Sequence, residues 1–174
     1  MVNLDRPVAP DPYSLLPELP AFTLVSNDFV DGGTLGRGQT AAGGGVSPHL
    51  AWRGEPAGTA SFAVTCFDPD APTPSGWWHW VLVDVPADVH ELAAGAASAP
   101  LPSGAFQVPV DSGGPGFFGA APPRGDRPHR YFFAVHALDV PTLGVDAHAT
   151  PAAVSFHITF HAIGRAVIHG TWQS

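Results

Sequence analysis

The segment from Cys66 to Val85 constrains the fold more than any other part of the chain. It reads CFDPDAPTPSGWWHWVLVDV, in which two β-forming runs flank a stretch with prolines at positions 69, 72 and 74. A proline restricts the residue before it to extended or turn conformations, so this stretch is not helical. The segment therefore predicts a strand from Ser61 to Phe67, a stiff loop that holds Asp68 and Asp70, and a second strand from His79 to Val85.

Both predicted strands show the alternation of side chains expected for β-structure. In the first strand, Phe62, Val64 and Cys66 share one face. In the second strand, one face is predicted to carry four residues: His79, Val81, Val83 and Val85. Both faces of the second strand are apolar apart from Asp84, which is typical of a strand in the interior of a sheet.

The composition indicates one packed domain. The chain has 174 residues, of which 45% are hydrophobic and 13% charged, which is enough to build a sizeable core. Its 20 glycines and 20 prolines argue against a helical bundle. The formal net charge of −8, with 7 residues that are Lys or Arg, argues against nucleic acid as a partner.

The sequence favours a cytoplasmic protein. The single cysteine, Cys66, excludes an internal disulfide. No secretory signal is visible at the start of the sequence, and no run approaches the ~20 apolar residues of a membrane span. We therefore expect no stable insertion into a membrane.

The remaining pattern predicts an arm followed by a domain. Residues 1–20 carry five prolines and are predicted to form an extended arm, whereas residues 21–174 form a single domain. A strand is predicted from His129 to Leu138, and a helix from Thr150 to Ile163 with Gly164 as its cap. A last strand follows from Arg165 to Trp172. Many short strands between turns predict an all-β, antiparallel sandwich with a few peripheral helices.

The polar residues of interest lie at predicted strand ends beside loops rich in Pro and Gly. They are Asp68, Asp70, His79, His129 and Tyr131. A carboxylate that accepts from an imidazole N–H fixes the ring and supports its protonated form. Such a set could bind an anion without Arg or Lys, with the aspartates orienting and the histidines donating. The alternative is that all five are satisfied polar groups with a structural role.

Other interpretations stay open at this point. The Gly/Pro loop at 111–125 could offer backbone N–H groups to an anion or be a plain connector. Two aspartates and two histidines could also hold a divalent ion, although the usual metal-binding spacings are absent and we expect no metal. Ser75 or Cys66 could be a nucleophile, but there is no GxSxG motif. Arg124, Arg127 and Arg130 could fringe the site or be ordinary surface charges.

Several motifs together resemble the phosphatidylethanolamine-binding protein family, and more closely its bacterial Raf kinase inhibitor-like branch. The motifs are DPDAP at 68–72, GWWHW at 76–80, and GAAPPRG followed by HRY between 119 and 131. SPHLAW at 47–52 and VHALD at 135–139 are also similar to that branch. The likeness extends from about residue 10 to the end of the sequence.

The resemblance implies an antiparallel β-sandwich with a small pocket for phosphate-type anions, including phospholipid headgroups. The family's pocket residues correspond to Asp68, Asp70, His79, His129 and Tyr131, and its walls to Pro72, Gly119, Ala120 and Ala121. No turnover reaction and no cofactor are implied. Phe117 stands where the family usually has Tyr, so a hydroxyl group expected near the pocket is absent.

We therefore expect a non-catalytic binding protein for a small anion or phosphoryl-containing ligand. Two alternatives remain, an inhibitor or regulator of a kinase or protease, which would bind a protein target, and an unrecognised hydrolase. A homodimer is compatible with the sequence. If protonated imidazole binds the anion, affinity should fall as the pH rises past ~6.5, the ordinary histidine pKa.

Overall fold

The structure, a computed structural model, describes residues 4–174 and consists mainly of two antiparallel sheets. The smaller sheet has the order β1 (Thr23–Val25), β2 (Leu50–Arg53) and β5 (Glu91–Leu92). The larger sheet has the order β6 (Phe106–Gln107), β4 (Trp77–Pro86), β3 (Ser61–Asp68), β7 (His129–Leu138) and β8 (Ala162–Trp172). One α-helix, α1 (Pro151–His161), precedes β8. The predicted all-β antiparallel fold is confirmed.

The larger sheet is buried on both faces. Between the two sheets lies a core in which Trp52 of the smaller sheet packs edge-on against Phe62 of the larger, with ring centroids 5.3 Å apart. Cys66 is fully buried in this core. On the opposite face, Val154 and Ile158 of α1 belong to a second apolar cluster with residues of β3, β4 and β7. Burial on both faces explains why the central strands are apolar at almost every position.

The prediction that His79, Val81, Val83 and Val85 share one face of β4 is wrong. Val81 and Val83 lie on the α1 face, whereas Val85 lies in the core between the sheets, on the side that His79 faces. The pairing of β3 with β4 shifts twice, and each shift inserts one additional residue into β4. The first is His79, and the second includes Asp84, whose φ is 57°. A bulge of this kind reverses the alternation, which sequence periodicity does not reveal.

Helix α1 begins as predicted but ends earlier. The Thr150 hydroxyl oxygen accepts a hydrogen bond from the Ala153 N–H at 3.2 Å, with Pro151 in the first turn. The prediction of a helix to Ile163 with a cap at Gly164 is wrong, because α1 ends at His161 and β8 begins at Ala162. Gly164 pairs with Ala137 inside the sheet. A Cβ atom there would lie 2.7 Å from Pro56, so glycine permits a close contact and does not cap a helix.

Residues 4–20 run along the larger sheet and are held by arginines of the domain. The Arg127 guanidinium donates to the Arg6 carbonyl at 2.9 Å, and that of Arg130 donates to the Ala9 carbonyl at 2.7 Å. A 3₁₀ turn covers Pro12–Leu15 within this arm. Residues 1–3 of the predicted arm lie outside the described residues, and its boundary at residue 20 stays a prediction.

Candidate functional site

A cavity of about 340 Å³ opens where β3, β4 and β7 meet the Gly/Pro loop. Its rim is exposed at Pro72, Phe118 and Ala121, so the cavity communicates with solvent. Ten residues line it: Asp68, Ala71, Pro72, Thr73, Trp77, His79, Phe118, Ala121, Pro123 and His129.

The structure brings five of the nine sequence-predicted site residues to this cavity. They are Asp68, Pro72, His79, Ala121 and His129. The other four lie behind the wall or beside it: Asp70, Gly119, Ala120 and Tyr131.

His79 is the cavity histidine whose ring has one nitrogen unpaired among residues 4–174. Its Nδ1–H donates to the Phe118 carbonyl at 2.5 Å, and the Phe118 N–H donates back to the His79 carbonyl at 2.8 Å. Because a carbonyl oxygen only accepts, Nδ1 carries the proton, and Nε2 has no hydrogen-bond partner among residues 4–174. Burial lowers the pKa of His79, so the ring is neutral at pH 7 and Nε2 is an acceptor.

His129 lies between two carboxylates. Its Nδ1 donates to Asp68 at 2.7 Å and its Nε2 donates to Asp126 at 2.9 Å, with the ring 1% exposed. Burial alone would lower the pKa of His129, but these two hydrogen bonds outweigh it and raise the pKa. The two carboxylates therefore favour the imidazolium form, and both ring nitrogens already have protein partners, with Arg6 Nη2 also 3.3 Å from Nε2.

Arg6 completes this network from behind. Its guanidinium pairs with Asp126 at 2.7 Å and also donates to the Asp70 carbonyl. The hydrogen bond from Arg6 holds the pKa of Asp126 well below its usual range. Two carboxylates, one imidazolium and one guanidinium thus balance in charge, so the wall behind the cavity is polar but close to neutral overall.

Asp70 is bound by Arg130. The Arg130 Nε and Nη2 donate to the two oxygens of Asp70 at 2.7 and 2.8 Å, and its backbone N–H donates to Oδ2 at 3.0 Å. Burial alone would raise the pKa of Asp70, but hydrogen bonds from Arg130 lower it. The Asp70 N–H donates to Asp68 at 2.8 Å, so Asp70 positions Asp68 and does not itself reach the cavity.

Tyr131 and the Gly119–Ala120 pair support the cavity from behind. The Tyr131 ring is edge-on to His79 at 5.0 Å, and its buried hydroxyl has no hydrogen-bond partner among residues 4–174. Burial raises the pKa of this phenol, which stays protonated. Gly119 passes so close to the Thr40 backbone that a Cβ atom would lie 2.5 Å from it, so glycine is required for the loop to dock.

Sequence reasoning missed Arg6, Asp126 and Phe118. Phe118 stacks on His79 with centroids 5.8 Å apart and an interplanar angle of 28°. Phe117 packs in the core against Trp80, with ring centroids 6.1 Å apart, and does not line the cavity. The replacement of the usual Tyr by Phe117 therefore removes no hydroxyl group from the cavity wall. Asp126 is three residues before His129, a spacing that could have suggested a contact. Arg6 carries no such signal.

Residues 4–174 contain no group of three or more His, Cys, Asp or Glu side chains placed to hold a metal ion. None of the helices described is long and apolar enough to cross a membrane.

The architecture and the site define a class of protein, an antiparallel β-sandwich with a small pocket at the ends of its central strands. Residues 25–173 match the family model described as phosphatidylethanolamine-binding protein. The chain belongs to the phosphatidylethanolamine-binding protein family.

Relatives of this family are found in several bacteria. YbhB of Escherichia coli is 49% identical over 152 residues, which cover 83% of this chain and 96% of that protein. The crystal structure of E. coli YbcL, described as a new member of the mammalian family, superposes with a TM-score of 0.85 at 42% identity, covering 88% of this chain and 98% of the other. A Mycobacterium tuberculosis relative, 31% identical over 90% of this chain and 75% of its own length, is named putative lipoprotein LppC. Placement of this protein in the cytoplasm thus stays a prediction.

Proposed function

We propose that this chain is a non-catalytic binding protein whose cavity takes a small phosphoryl-containing anion, either a free phosphomonoester or a phospholipid headgroup. The observation that carries this proposal is His79, a neutral imidazole whose Nε2 is unpaired among residues 4–174 and which lines an open cavity. Its ring is held firmly by Phe118 and Tyr131, so the binding atom is positioned before the ligand arrives.

A phosphomonoester suits this atom because one proton can be shared between the two partners. Neutral His79 accepts a hydrogen bond from a P–OH group, and protonated His79 donates to a P–O⁻ group. The second pKa of a phosphomonoester is about 6, close to that of histidine, so both forms are accessible. In either case the complex holds one proton that is lost at high pH.

The remaining walls suit the small organic part of such a ligand. Trp77 and Phe118 present aromatic surface beside Pro72 at the open side. An aromatic face attracts an ammonium group by a cation–π interaction, as an ethanolamine headgroup would offer. The size of about 340 Å³ lies at the small end of ligand pockets, which supports a headgroup-sized ligand.

The surroundings support binding without turnover. The cavity hydroxyl of Thr73 already donates to the Gly76 carbonyl at 2.5 Å. Ser75 and Cys66 do not line the cavity, and burial raises the pKa of the Cys66 thiol. His129, the other candidate base, has both nitrogens occupied by carboxylates.

The test is an NMR titration of the full chain with O-phosphorylethanolamine and with inorganic phosphate, following the ring protons of His79 and His129. We expect the His79 signals to move at millimolar ligand and the affinity to fall between pH 5.5 and 8. His79→Ala should weaken binding by at least about tenfold, the loss of one charge-assisted hydrogen bond. His148→Ala, at an exposed turn, is the matched control and should bind normally. If neither ring responds at millimolar ligand, the proposal is wrong.

A second measurement separates binding from hydrolysis. O-phosphorylethanolamine should remain intact after prolonged incubation with the protein, and p-nitrophenyl phosphate should release no phenol above background. Turnover that disappears in His79→Ala would instead identify the chain as a hydrolase.

A further inference from the structure

We propose that a second cavity, on the α1 face of the larger sheet, binds a small monocarboxylic acid with an apolar body. The cavity has a volume of about 260 Å³ and lies between the 3₁₀ turn Pro12–Leu15, the larger sheet and α1. Apolar walls come from Leu16, Trp78 and Ile158, and its polar groups include Arg165 and His136. This cavity and the one at His79 share no lining residue.

Arg165 forms no ion pair with a carboxylate among residues 4–174. Its guanidinium lies over the Tyr13 ring at 5.0 Å, but no carboxylate oxygen lies within 4 Å of it among residues 4–174. Its Nε is buried and has no hydrogen-bond acceptor there. Burial lowers the pKa of Arg165, and the neighbouring Tyr13 and Asp11 offset this only in part. A half-buried guanidinium with one enclosed N–H group that lacks an acceptor is stabilised when an anion binds beside it.

His136 presents a second unsatisfied group in the same cavity. The ring is 3% exposed, and its Nδ1 is buried with no partner among the described residues. Burial lowers the pKa of His136 to about 3, so the ring is neutral. Its Nε2 lies 3.3 Å from the Thr65 hydroxyl, which lies 3.3 Å from the Tyr13 hydroxyl.

The proposed site uses this chain of hydrogen bonds in the direction from Tyr13 to His136. If Tyr13 donates to Thr65 and Thr65 donates to Nε2 of His136, then Nδ1 of His136 carries a proton and lacks an acceptor. Burial raises the pKa of Tyr13 to about 12, so its phenol remains a donor. In this direction the cavity offers one cationic and one neutral donor, which match the two oxygens of a carboxylate.

The volume indicates the size of the apolar part. A cavity of about 150 Å³ lined by Leu, Ile and Phe is enough for benzene. The 260 Å³ here leaves room for a six-carbon ring or chain together with a carboxymethyl group. A phosphate dianion is a poorer match, because the walls are mostly apolar and the donors are few.

The test compares phenylacetate with 2-phenylethanol, which has the same ring and no charge, by isothermal titration calorimetry on the full chain. We expect phenylacetate to bind at least about tenfold more tightly, because it alone forms a charge-assisted pair with the guanidinium. Signals of the Trp78 indole and the His136 ring should move in NMR spectra. No binding of phenylacetate at millimolar concentration, or equal binding of the alcohol, would overturn the proposal.

Variants assign the binding to this cavity. Arg165→Gln should remove the preference for the acid, whereas Arg53→Gln, an exposed arginine on β2, should not. Leu16→Glu places a carboxylate on the exposed rim of the cavity and should weaken phenylacetate binding without altering β8. This variant tests the site even if Arg165→Gln does not fold. His79→Ala should leave phenylacetate binding unchanged. Retained binding in Leu16→Glu would place the acid elsewhere and contradict the assignment.

Discussion

His79 and His129 line one cavity, yet their environments shift their pKa values in opposite directions. His79 has an apolar neighbourhood and a carbonyl partner, so burial dominates and its pKa falls. His129 is equally buried, but two carboxylates surround it and its pKa rises. The same residue type thus provides a proton-sharing ligand contact at one position and, at the other, a ring whose protonated form two carboxylates stabilise.

Asp126→Asn should lower the pKa of His129 and destabilise the fold by about 2 kcal/mol, the range of a hydrogen bond to a charged group. NMR titration of the His129 ring gives the pKa, and urea unfolding gives the stability. Glu18→Gln, an exposed carboxylate with no hydrogen bond among residues 4–174, is the control and should change neither.

The destabilisation of Asp126→Asn should depend on pH in a defined direction. A histidine with a raised folded-state pKa contributes stability that is fully present below ~6.5 and is lost as the pH rises through the folded value. The difference between wild type and Asp126→Asn should therefore shrink above neutral pH. A difference that grows with pH would contradict the assignment of His129 as an imidazolium.

Asp70→Asn should destabilise the protein by about 3 kcal/mol, because it leaves the Arg130 guanidinium without its charge partner. Since the pKa of Asp70 is lowered in the fold, its contribution is present above ~3.9 and is lost as the pH falls. Ligand-induced shifts of the His79 ring should persist in this variant. If the folded Asp70→Asn protein lost those shifts, Asp70 would have to contribute directly to ligand binding, as the sequence predicted.

At the scale of elements, β7 and β4 show what sequence patterns do and do not predict. The bounds of β7 follow from a run of ten mostly apolar residues, HRYFFAVHAL, whose pairing to β8 has one shift at its end. The faces of β4 cannot be predicted from its sequence, because its bulges depend on the register with β3 and not on the composition of β4 itself. Similarly, the sequence pattern around Gly164 is typical of a helix cap, and only the structure shows that glycine is needed there because Pro56 lies against it.

The bulge at Asp84 leads to a prediction about β4. Asp84 has a φ of 57°, and its Oδ1 accepts a hydrogen bond from the Leu143 N–H at 2.8 Å. Asp84→Ala should destabilise the protein by about 2–3 kcal/mol, because alanine tolerates this conformation poorly and has no acceptor. Asp84→Asn keeps both properties and should be nearly neutral in urea unfolding. Equal stability of the two variants would show that the bulge rearranges.

On the scale of the whole molecule, the N-terminal arm connects two regions that the sheet separates. Arg6 reaches the network behind the His79 cavity, and Tyr13 forms part of the second cavity. Asp68, Asp70, His79 and His129 could be foreseen from strand ends and motifs, whereas Asp126 was missed. The contribution of the arm could not be foreseen, because a proline-rich segment has no periodicity that indicates where it docks.

Deleting residues 1–16 should lower the free energy of unfolding by at least about 3 kcal/mol, from the loss of Tyr13 packing and of the Arg6 ion pair. The pKa of His129 should change in the same variant, since Asp126 loses its guanidinium partner. Thermal unfolding and His129 titration measure the two effects. The matched variant Arg6→Gln should reproduce the pKa change with a smaller loss of stability, whereas an unaltered His129 in both proteins would show that the arm is dispensable for the site.

The buried position of Cys66 makes its thiol a natural probe of the opening of the β-sandwich. The thiol is fully enclosed between the two sheets, and it is the single cysteine of the sequence. A thiol-reactive dye can therefore label Cys66 only when the two sheets move apart. The labelling rate under native conditions then measures how often this opening occurs. Changes that loosen a loop alone would leave this rate untouched, whereas changes that weaken the contact between the sheets would accelerate it.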